Sequence, residues 1–139
     1  MRRVPGWRSR FEAAIDEIKY RPFDWAQQHD CGLGLCARIV TAITGEDVAA
    51  SYRGTYTTRE EALEVMRATG FENLGDLVAS LLPEIHPSKA KIGDVAAFPM
   101  DTPFGYGLGV VNGERVLVLR EEGIGTMELL QAQRAFKVG

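Results

Sequence analysis

Three side chains in this sequence have the chemistry of a nucleophile or a base: Cys31, His29 and His86. Cys31 follows Asp30 at the start of a helical pattern, where unpaired backbone N–H groups and the helix dipole lower a thiol pKa and favour the thiolate. That position suits a nucleophile. It equally suits a small helix residue buried beside Asp30 as N-cap, and both readings stay open on residue types alone. His29 stands two positions earlier in what reads as an extended link. Such a link points neighbouring side chains apart, so His29 serves as general base only if it folds back onto the thiol. His86 lies between Pro83 and Pro87 and reads as a solvated loop histidine, useful to Cys31 only if that loop covers it. The candidate catalytic residues are therefore Cys31 and His29.

Cys36 is five positions beyond Cys31, roughly 140° around a helix of 3.6 residues per turn. No disulfide is expected between them, and Cys36 reads as core. Two cysteines and two distant histidines lack the spacing of a structural zinc site, so neither a metal nor a cofactor is expected.

The elements that must position these residues follow from periodicity. Trp7, Phe11, Ala14, Ile15 and Ile18 recur at spacings of three and four, which predicts an amphipathic helix from Trp7 to Tyr20, stopped by Pro22. A second helix is predicted from Cys31 to Thr44, with Gly45 as its stop. Residues 51–57 read as a loop. Thr58 and Glu61 form a capping-box pattern for a third helix through Ala68, and Asn73 caps a fourth that runs to Pro83. Beyond Lys91 the pattern becomes short apolar runs: Val95–Phe98, Gly107–Val111, Arg115–Leu119 and Arg134–Val138. Asn112-Gly113 signals a two-residue hairpin between the second and third. Helices followed by strands predict an α+β fold, a helical N-terminal half packed on a small antiparallel sheet from the C-terminal half.

With 139 residues, 45% of them hydrophobic, the chain is expected to form one domain. A net charge of −3, from 16 basic and 19 acidic residues spread along the chain, argues against nucleic acid as a partner and against a polybasic membrane anchor. The start has no apolar h-region, and neither a signal peptide nor a membrane span is expected.

Three blocks carry a resemblance. Asp30-Cys31 at a helix start, Lys91-Ile92-Gly93-Asp94-Val95-Ala96-Ala97-Phe98 opening the sheet, and Gly107-Leu108-Gly109-Val110-Val111-Asn112-Gly113 after it resemble the motifs of NlpC-like cysteine peptidases. These are papain-like enzymes that cut peptidoglycan stem peptides. The resemblance implies a papain-like NlpC-type fold with Cys31 at the nucleophile position. In the family the third block opens with a catalytic histidine, and here Gly107 stands in its place. The serine and glycine that follow the family's cysteine are replaced by Gly32 and Leu33. Losing the general base removes a contribution of about 10² to 10⁴-fold in rate, so a peptidase so altered is expected to be nearly inert.

Over nearly its full length the chain also resembles small proteins from the tail-gene clusters of long-tailed bacteriophages and gene transfer agents. That resemblance rests on Arg21-Pro22-Phe23-Asp24-Trp25, His29-Asp30-Cys31, the tract Tyr52 to Thr58, the Gly93-Asp94 strand and Phe136. It implies a structural or adaptor component of a tail tip or baseplate, made in the host cytoplasm and carried in the virion. Its partners would be other tail proteins, with Trp7, Trp25, Tyr52, Tyr56 and Tyr106 as candidate contacts; the alternative for each is core packing, which is the reading taken for the two tryptophans. The alternatives are a peptidoglycan hydrolase that uses Cys31, and a tail assembly factor that leaves before the particle is complete.

Overall fold

The computed structural model describes residues 1–139. Helix α1 spans Trp7–Lys19, α2 Ala37–Thr44, α3 Arg59–Ala68 and α4 Leu74–Ala79. Six antiparallel strands follow: β1 Glu84–Ile85, β2 Val95–Pro99, β3 Tyr106–Asn112, β4 Arg115–Arg120, β5 Gly123–Glu128 and β6 Arg134–Phe136, arranged β1-β6-β2-β3-β4-β5. The predicted α+β class is the observed one, with helices first and an antiparallel sheet after.

The caps lie where their residue types place them. Thr58 accepts from the N–H of Glu61, Asn73 from that of Asp76, and Asp30 from those of Gly32 and Leu33. Glu61 reaches back to Thr57 rather than to the cap residue itself. The fourth helix is shorter than predicted. Leu81 N–H bonds Val78 C=O, an i+3 tightening, and Pro83 disfavours helical backbone at the residue before it.

Two further departures concern the sheet. Strands β1 and β5 were not expected, because β1 is two residues long and β5, Gly-Ile-Gly-Thr-Met-Glu, has few β-branched or aromatic residues. The β3–β4 turn also sits one residue later than the sequence suggests. Asn112 pairs with Arg115, so the turn residues are Gly113 and Glu114, with positive φ at Gly113 alone. A glycine at the first central position is what a type II′ turn requires.

Alternation along the strands divides the interior. Val95 and Ala97 of β2 join the main core with Phe11, Ile39, Val40 and Ile43 from the helices, whereas Ala96 and Phe98 pack with Val111, Val116 and Val118 on the other face. Leu129 and Ala132 cover that second face. A third cluster, Leu33, Ala37, Ala49, Tyr56 and Ala62, joins α2 to α3.

The ends of the chain meet beneath this sheet. Asp94, with no exposed surface, accepts from the guanidinium of Arg3 (3.1 Å) and from the N–H groups of Lys91 and Val138. Arg3 also bonds the carbonyls of Ile92 and Val138. Gly93 makes the turn into β2 possible, with φ of +94°.

Candidate functional site

The segment before α2 fixes the site. Residues Cys31–Cys36 form a wide π turn in place of the first turns of the predicted helix, with Leu35 N–H bonded to Asp30 C=O and Ala37 N–H to Gly32 C=O, both five residues back. Gly34 lets this turn lie on the preceding link, because a Cβ there would stand 2.6 Å from the Cα of His29. The turn packs against β3 and β4 near the place where they part. Their pairing ends at Gly109 and Val118, while β4 continues its pairing with β5 through Leu119 and Arg120.

In this gap the Cys31 sulfur meets the backbone N–H of Leu108, together with its own and that of Gly32. Those donors favour a thiolate. Burial opposes them and dominates, with the Asp30 charge adding to it, so the thiol is pushed up to about 12. What surface Cys31 keeps is turned to a cavity rather than to a polar surface. The helix-start argument of the sequence is therefore outweighed by desolvation. Cys36 is held protonated for the same first reason, and its S–H points to Gly109 C=O at 3.7 Å. Both thiols are free.

The partner of this site in space is Tyr56, which the sequence reading offered only as a candidate surface contact. Its hydroxyl donates to Asp30 Oδ2 at 2.6 Å, and burial followed by the Asp30 charge raises its pKa far above the ordinary phenol value. Asp30, 3% exposed, thus accepts three hydrogen bonds, two from the π turn and one from Tyr56. Gln28 carries the one positive φ outside glycine, 53°, and its amide group binds Tyr52 C=O, Tyr56 C=O and Gly54 N–H. That strained residue holds the 52–56 segment over Asp30.

The two candidate histidines are not gathered to the thiol. His29, 2% exposed, turns Nε2 to Ile18 C=O at the end of α1 (3.2 Å), and burial lowers its pKa. It borders a separate polar groove with Arg10, Arg21 and Arg38, whereas Cys31 borders the apolar cavity. His86 is taken up locally by Ser88, whose N–H and hydroxyl face Nδ1. At Gly107 a side chain would run into Met100 Sδ, so methionine fills that space. Tyr106 packs on Gly75 and beside Arg134 and Phe136.

The cavity holds about 420 Å³ and lies between the sheet and helices α3 and α4, with Trp25 stacked on Phe104 at one side (ring centroids 6.0 Å apart). Of the five aromatic candidates for contact, Tyr56 is buried and Trp7, Trp25, Tyr52 and Tyr106 are half-buried, the two tryptophans packed against core clusters. The most outward apolar side chains are Tyr20 and Leu130, 81% and 95% exposed, followed by Met1 and Met100. No three His, Cys, Asp or Glu side chains gather closely enough to hold a metal ion, and no helix is long and apolar enough to cross a membrane.

Residues 2–138 match the family described as Domain of unknown function (DUF6950). The chain belongs to the DUF6950 family. No curated protein matches it. What the geometry supplies to this DUF6950 member is a half-buried thiol, held neutral by desolvation, with both histidines bonded elsewhere.

Proposed function

We propose that this chain is a structural or adaptor component of a bacteriophage tail tip or baseplate, built on a degenerate NlpC-like fold and retained in the virion. The tail setting rests on the full-length resemblance described above. The loss of peptidase chemistry is supported by one observation: neither histidine is turned to the thiol, His29 facing Ile18 C=O and His86 facing Ser88. Without a base, the half-buried thiol, facing an apolar cavity, stays protonated at neutral pH and cannot open a peptide bond at a useful rate. Tyr20 and Leu130 are the most exposed of the apolar groups available for contact with neighbouring tail proteins.

Two measurements test this. In a Cys36→Ser background, iodoacetamide should label Cys31 slowly at neutral pH and faster only in strongly alkaline solution. Fast labelling near neutrality, together with peptidoglycan turnover that Cys31→Ala abolishes, would establish the hydrolase instead. Mass spectrometry of purified particles should find the chain present. Its absence would favour the assembly factor.

A further inference from the structure

The adaptor reading leaves the cavity beside Cys31 without a role. Interiors of folded chains hold few voids larger than a water molecule, yet this one, at about 420 Å³, falls in the range of small-molecule sites. Of its 36 lining residues 28 are hydrophobic. All three apolar clusters contribute walls: Leu33 and Ala62 from the one at α3, Phe98 from the outer face, and Val78 and Leu119 from the main core. The opening is therefore elongated, reaching from the 48–56 segment to the end of β4.

Its charged groups leave no place for an ion inside. Asp30 is already supplied by three donors. Arg120 and Glu121 are exposed, and Arg59 lies over the Phe104 ring at the margin. One wall residue has an unmet need. Trp25 Nε1 is buried with no acceptor, enclosed by the rings of Phe23, Tyr56 and Phe104. Those rings also close the nitrogen off from the cavity, so an acceptor placed there does not reach it.

We propose that this cavity binds an uncharged, elongated apolar small molecule, an alkyl chain without an ionised head. The inference does not rest on the tail assignment. Calorimetric titration of the full chain with decan-1-ol tests it, with circular dichroism confirming that each variant is folded. Saturable one-to-one binding is expected, weakened more than tenfold in Val65→Trp and in Leu77→Trp, each of which puts an indole into the opening. Decanoate should bind at least about tenfold more weakly than the alcohol, because its carboxylate would be desolvated near Asp30. No saturable binding, or affinity unchanged in both filled variants, overturns the site. Decanoate binding as tightly as the alcohol overturns the uncharged class. If no probe binds and the filled variants instead lose association with tail particles, the cavity receives an apolar side chain of a neighbouring subunit and the small-molecule proposal fails.

Discussion

Cys31, Cys36 and Tyr56 surround one buried carboxylate, and each is kept protonated first of all by burial. In the unfolded chain the same groups release their protons at ordinary values, 9.0 for the thiols and 10.0 for the phenol. Above about pH 9 the native state therefore binds more protons than the unfolded one, and stability must fall as pH rises. Their contribution is complete below pH 9 and is lost on the way to the folded-state value of about 12 for Cys31. Urea unfolding followed between neutral pH and about pH 10.5 should show that decline, and Cys31→Ala should flatten part of it. An equal slope in the variant would mean that Cys31 does not contribute to the linkage. A second outcome belongs to Gly107. Alone, Gly107→His meets only the Met100 side chain, which is exposed enough to swing aside, so the cost is expected to stay below about 1 kcal/mol. With Met100→Ala beside it, the imidazole gains room, and Cys31 should label with iodoacetamide faster near neutral pH. Unchanged labelling in the double variant would separate position 107 from the thiol.

At the scale of elements, the helices and central strands were legible because periodicity and caps coincide: Thr58, Asn73 and Asp30 all cap the segments that their residue types suggest. The π turn was not. A helical pattern of apolar residues looks alike with one extra residue per turn, and only the pair Gly32 and Gly34 hinted at unusual backbone. The position of His29 depends on that turn, so its distance from the chemistry of Cys31 could be argued from link geometry but its bond to Ile18 could not. Gly34 makes the dependence testable. A methyl group there meets backbone atoms of His29 at 2.6 and 2.7 Å, which cannot rotate away. Gly34→Ala should cost about 1–3 kcal/mol in urea unfolding. A cost within about 0.5 kcal/mol would show that the link yields easily.

At the scale of the molecule, the sequence showed the halves but not how they close. The contact of Tyr56 with Asp30 spans 26 residues and the contact of Arg3 with Asp94 spans 91, and neither leaves a local pattern. Gly93-Asp94 was legible as a motif, while its physical purpose, a positive-φ turn and an acceptor for three donors, needed the folded chain. Removing that acceptor by Asp94→Ala takes the counter-charge from Arg3, which keeps its bonds to the Ile92 and Val138 carbonyls, and leaves two N–H groups unpaired. The expected loss is about 3–5 kcal/mol, measured by chemical denaturation. A loss below about 1 kcal/mol would mean that water replaces the carboxylate.

The same knot brings the two ends of the chain side by side. A Cβ at Gly139 would stand 2.7 Å from Arg3 Cγ and 3.4 Å from the carbonyl carbon of Arg2. A linker of a few residues can join such ends with little loop-closure entropy, so the covalent order of the elements is separable from their arrangement in space. New ends could then be opened at the exposed Glu121-Glu122 turn between β4 and β5 without cutting a strand pair. The domain is in this respect suited to being carried as an insert within a surface loop of another protein, entering and leaving its host at nearly one point.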